Sequence, residues 1–128
     1  MMNLNKGFTL IELVMVIVIL GILSVVAVPL YIDLKSDAAQ AAVNGVAGGL
    51  SSAMSVNFAA RTANSAKGIA VTNCNTWGVL AGGMPTNGGL YAITPAPIAA
   101  GATATCTLTF TPTGGTAVTA TFSGMGIN

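Results

Sequence analysis

The chain has 128 residues, enough for one domain, and 53% of them are hydrophobic while 5% are charged, against about a quarter charged in an ordinary soluble protein. Formal net charge is +1, histidine is absent, and no charged residue follows Lys67. This balance argues against nucleic-acid binding by charge, because no basic patch is available to neutralise phosphates, and it leaves no histidine for acid–base or nucleophilic catalysis.

The first seven residues, MMNLNKG, are polar and carry Lys6, whose charge keeps that end cytoplasmic. From Leu13 to Ile32 there is no charged residue. A helix of that length spans roughly 30 Å, the hydrocarbon thickness of a bilayer, and nothing else in so short a chain is large enough to wrap it. An ordinary secretory signal has a shorter apolar stretch followed by a small-residue cleavage site. Here a small-x-small site can be drawn at Ser24 to Ala27, but the apolar run continues past it. Glu12 is the anomaly at the start of the run. A carboxylate at the centre of a membrane helix costs about 2.5–3.5 kcal/mol and is functional by default; the plainer alternative is a helix-start residue favoured by the dipole.

Residues 7–13, GFTLIEL, resemble the cleavage and methylation motif of type IV prepilins, and the likeness extends over the leader and the whole apolar run, including Gly21 and Pro29. The resemblance implies an α+β fold, a long N-terminal helix packed on a small C-terminal antiparallel sheet. It implies cleavage between Gly7 and Phe8 by a membrane prepilin peptidase, N-methylation of Phe8, and pairing of Glu12 with the Phe8 amine of a neighbouring subunit. A physical argument supports that pairing. Cleavage exposes a cationic amine at the head of an apolar rod, and either charge alone in a low-dielectric core is heavily penalised. The partners implied are further copies of the chain, the peptidase and the assembly machinery, with no cofactor and no metal. The precursor is expected in the inner membrane and the product in an extracellular pilus. The string YIDLKSDA is also similar to the segment after the membrane helix in mannose-sensitive haemagglutinin-type pilins.

The expected division is a leader at 1–7, a membrane and filament-core helix at 8–32, an amphipathic continuation at 33–60 and a sheet domain at 61–128. Gly21 and Pro29 mark the stretch most able to kink or unwind on packing, because Pro29 leaves the Val25 carbonyl without its helical partner. Beyond it, Ala39, Val43, Val46, Leu50, Met54 and Phe58 recur at steps of four and three and line one helix face. Asn44, Gly48, Ser51 and Ser55 lie opposite. Asp33 and Asp37 are neighbours one turn apart; they are either a solvated patch or ion-pair positions for Arg61 or Lys67 of another subunit.

Gly68 to Cys74 and Leu90 to Thr94 are strand candidates, separated by a glycine- and asparagine-rich loop or short helical turn at 75–89. Thr103 to Thr111 alternates threonine with Ala104, Cys106, Leu108 and Phe110, the period of a half-buried strand. Pro112 to Gly115 reads as a hairpin turn, and Thr116 to Phe122 returns. Cys74 and Cys106 are a disulfide if this half is exported and small buried thiols if it is cytosolic; type IV pilins commonly carry such a bridge. It would contribute about 3.5–4 kcal/mol in the chain-entropy model.

Catalytic chemistry has little to stand on. No carboxylate follows Asp37, two cysteines without histidine make no zinc site, and no haem-attachment or Walker motif occurs. The reading is a structural subunit of a type IV pilus, not an enzyme. Two alternatives remain. One is a pseudopilin of type II secretion, whose calcium-binding major form wants oxygen ligands that this C-terminal half lacks as carboxylates. The other is a single-pass membrane-anchored binding protein that never polymerises.

Overall fold

The computed structural model describes residues 7–128, with Ile32 and Asp33 described through their backbone alone. Six of the seven expected leader residues thus lie outside the described residues, as does the Asp33 side chain. The chain divides into two compact units, the first ending at Lys35 and the second comprising Ser36–Asn128.

One helix, α1, runs Leu10–Ala63, 54 residues, and belongs to both units. It starts two residues later and ends three residues later than the sequence predicts. Thr9 forms its N-cap, and Leu13 donates its N–H to the Thr9 carbonyl at 3.2 Å. At the other end Asn64 closes the last turn on Ala60 at 3.0 Å. The Asn64 side chain then accepts the Ala66 N–H at 2.9 Å, a local turn that competes with further helix.

In the first unit every described side chain from Phe8 to Tyr31 is exposed. This stretch is long and apolar enough to cross a membrane. The helix is unbroken through Gly21 and Pro29, and Ser24 donates its hydroxyl to the Leu20 carbonyl at 2.7 Å.

The second unit packs the later half of α1 on a three-stranded antiparallel sheet. Its strands are β1 (Gly89–Ile93), β2 (Thr103–Pro112) and β3 (Val118–Met125), in the order β1-β2-β3. The α+β expectation holds. The buried face of the helix is Ala39, Val43, Ala47, Leu50, Met54 and Asn57. Val46 and Phe58, expected in that stripe, are only half-buried. Steps of four and three can pass through either 46 or 47 and either 57 or 58, and the sheet meets Ala47 and Asn57. On the sheet side Cys106, Leu108 and Phe110 point inward from β2, as the alternation predicts. Tyr91 stacks on Phe110, its register partner, with ring centroids 4.2 Å apart. Each of the largest sealed side chains, Leu50, Met54 and Leu108, contributes about 1.5–3 kcal/mol by leaving water.

Gly68 to Cys74 does not form the expected strand. It makes two isolated bridges, Val71 to Ile127 and Asn73 to Pro97. Asn73 Oδ1 takes the N–H groups of Asn75 at 3.2 Å and Ala96 at 3.1 Å, so a side chain occupies the place of a ladder. Pro95 and Pro97, on the opposing segment, have no N–H to offer. Trp77–Val79 is a single 3₁₀ turn within the expected loop.

Two hydrogen bonds tie the helix to the free edge of the sheet. Gln40 Nε2 donates to the Thr119 carbonyl at 3.0 Å, and the Ser123 N–H donates to Ser51 Oγ at 3.1 Å. Deeper in, the buried amide of Asn57 closes a ring with the Ile69 backbone. Its Nδ2 donates to the Ile69 carbonyl at 2.9 Å, and its Oδ1 accepts the Ile69 N–H at 2.8 Å. A side chain doing the work of a strand keeps a polar group tolerable at 8% exposure. Gly68 makes this contact possible: its φ is +69°, and a Cβ there would lie 2.5 Å from Asn57 Oδ1.

Candidate functional site

The singled-out residues gather at the start of α1. Glu12 occupies the third helical position and Thr9 the N-cap. Thr9 donates its backbone N–H to Glu12 Oε2 at 2.8 Å and its hydroxyl to the same oxygen at 2.7 Å. In return the Glu12 N–H lies 3.4 Å from Thr9 Oγ1. This is a capping box, in which side chains satisfy amides that the first helical turn leaves open. Both short bonds fall on Oε2, and among the described residues no donor reaches Oε1. Thr9 was not singled out in the sequence, although the T-x-x-E spacing directly before an apolar run carries the signal.

Phe8 stands 70% exposed beside this box. Gly7 is exposed too, and a Cβ placed on it meets nothing within 4 Å. The same holds at Gly21. The fold of the isolated chain therefore gives no steric reason for glycine at either place.

Far along the chain, Cys74 and Cys106 are joined, with Cα atoms 5.6 Å apart. The bridge is sealed, both residues being buried. It fixes the Asn73–Cys74 segment, whose Cys74 N–H donates to Ala96 at 2.9 Å, against the inner face of β2. Gly124 on β3 opens the room for it, since a Cβ there would come within 2.6 Å of the Cys106 sulfur. Arg61, a candidate for pairing with another subunit, spends its guanidinium on main-chain oxygens of its own chain, Asn128 at 2.8 Å and Ser65 at 2.9 Å.

One surface feature was not visible in the sequence. An open groove of about 510 Å³ lies in the second unit between α1 and the segment that follows it, lined among others by Gly49, Ala53, Val56, Ile69, Val79 and Leu80. No charged side chain lines it. Its walls come from the helix at 49–60 and from the segment at 68–81, which periodicity alone does not bring together.

The family model for the prokaryotic N-terminal methylation motif matches residues 2–28. The chain is 53% identical over 51 residues to the type IV narrow pilus major component PilA5 of Thermus thermophilus, covering 40% of this chain and 44% of that one. It is 46% identical over 56 residues to a fimbrial protein of Moraxella nonliquefaciens, covering 44% and 36%. It is 52% identical over 44 residues to the type IV major alpha-pilin of Moraxella bovis, covering 34% and 28%. The matched part spans less than half the length of these relatives. No solved structure matches the chain significantly.

Proposed function

We propose that this chain is the precursor of a structural subunit of a type IV pilus, cut after Gly7, methylated on Phe8 and polymerised through its N-terminal helix. The observation that carries the reading is one carboxylate, Glu12, fixed at the head of an apolar helix segment whose every described side chain lies bare from Phe8 to Tyr31. Relatives in this segment are named as pilus components and fimbrial proteins.

Three physical points support the assignment. An uncovered apolar helix of this length is stable in a lipid bilayer or inside a bundle of its own kind. Among the described residues a Cβ at Gly7 meets nothing within 4 Å, which suits a position whose smallness is demanded by a peptidase. And Glu12 is held by Thr9 through one oxygen, leaving the other to receive the Phe8 amine of an adjacent subunit. Residues 8–32 serve as the membrane and filament-core segment, and 33–60 with 61–128 form the exported domain. The Gly21–Pro29 stretch, unbroken in the isolated chain, is the part that loosens on packing. The precursor resides in the inner membrane and the product outside the cell, with the peptidase and assembly machinery as partners.

Electron microscopy of material sheared from cells expressing the chain, with mass spectrometry of its main protein, tests the reading. The expected result is thin filaments made of a chain that starts at N-methyl-Phe8. A chain of precursor length that stays as membrane monomer, with no filaments, would refute it.

A further inference from the structure

Two apolar surfaces of this chain carry nothing in the described structure. One is the helix segment from Leu10 to Tyr31, exposed on all sides. The other is the groove walled by Val56 on α1 and by Ile69, Val79 and Leu80 across from it, with Gly49 and Ala53 along its helical side. Val56 is 66% exposed and shares this surface with Ile69, Val79 and Leu80, a contiguous apolar patch and not a lone exposed side chain.

The groove is small. A dozen residues line it, whereas a stable interface takes roughly 20–30 residues a side. It cannot hold a free partner on its own account, so its occupant must already be held nearby by other contacts. Copies of one subunit whose helices pack together meet that condition, because tethering raises the effective concentration of every further contact. The chemistry narrows the occupant further. The lining is mostly apolar, with Ser52 and Asn57 as its polar members, and carries no charge; Gly49 and Ala53 keep its helical wall low, which lets another backbone approach closely. Residues 13–31 supply a charge-free apolar surface on a helix about 10 Å across.

We propose that the groove receives the apolar helix segment, residues 13–31, of a second copy of the chain. The inference rests on the filament reading and adds to it a contact between the exported domain of one subunit and the core segment of another.

A photo-crosslinking amino acid placed at Val56 of the full chain, activated in sheared filaments, reads the occupant directly. The expected product is a dimer whose crosslinked peptide comes from residues 13–31. Crosslinks to residues 36–128 of a second copy, to a different protein, or to nothing would overturn the proposal while leaving the filament reading intact. Filaments that never form would refute that reading instead. A second arm uses Gly49→Leu, since a Cβ at Gly49 meets nothing within 4 Å inside the subunit. The variant should be processed and carry its disulfide normally, yet yield at least about tenfold less filament, the loss that corresponds to about 1.4 kcal/mol per docking step. Undiminished filaments from a correctly folded Gly49→Leu chain would overturn the proposal.

Discussion

Glu12 is assigned two jobs that separate variants can pull apart. In the isolated chain it caps a helix, accepting two bonds from Thr9. Losing such a cap costs about 0.5–2 kcal/mol, and the loss falls on the first turn only. The core of Leu50, Met54, Leu108 and the disulfide lies in the other unit, so Ser36–Asn128 should fold unchanged. In the filament Glu12 is assigned the counter-charge of a buried amine. Leaving that amine unpaired costs about 3–5 kcal/mol, roughly two to four orders of magnitude in each docking equilibrium. The two magnitudes set an order of severity. Thr9→Val, which removes the hydroxyl and keeps the charge, should lower the filament yield modestly. Glu12→Gln, which keeps an acceptor for Thr9 and removes the charge, should abolish filaments and leave mature-length monomer in the membrane. Glu12→Ala should match Glu12→Gln. The assay is quantitative immunoblotting of sheared and membrane fractions from the same cells. If Glu12→Gln makes as much filament as wild type while Thr9→Val fails, Glu12 acts through the cap and the charge argument is wrong.

Replacing Gly7 with leucine should leave precursor of full length in the membrane with an unmethylated Phe8, read by intact-mass spectrometry; cleaved, methylated product would refute the processing assignment. Thiol titration of denatured wild-type filaments should find no free cysteine. Cys106→Ala should lose about 3.5–4 kcal/mol and fall several-fold in steady-state level, and an unchanged level would contradict the disulfide's role. Asn57→Ala strands the N–H and carbonyl of Ile69 at about 1–3 kcal/mol each, so the near-ultraviolet melting midpoint of the detergent-solubilised chain should drop by several degrees or more; an unshifted midpoint would show that water replaces the amide.

The sequence made the start of the molecule plain because its signals are local. A charge-free run, a leader ending in glycine and a lone carboxylate are read residue by residue. The β2 alternation was equally legible, since period two needs no knowledge of the partner strand. The failures share a cause. Steps of four and three lead to Val46 and Phe58 as readily as to Ala47 and Asn57, and only the angle at which the sheet meets the helix selects the latter pair. A buried asparagine cannot be recognised until the backbone it satisfies, that of Ile69, is known to lie beside it. Gly68 to Cys74 had the composition of a strand, but Asn73 replaces a ladder with its side chain.

The bonds from Gln40 to Thr119 and from Ser51 to Ser123 have a consequence for the proposed filament. β3 is a sheet edge, and an open edge is a template on which another copy can add a strand. In a polymer the domains stand shoulder to shoulder, so mispairing of edges competes continuously with the intended arrangement. Gln40 and Ser51 occupy a carbonyl and an amide on that edge with short side chains from the subunit's own helix. A strand approaching from outside would first have to displace them, and it would find α1 in its path. Those two groups of β3 are thereby closed to an incoming strand.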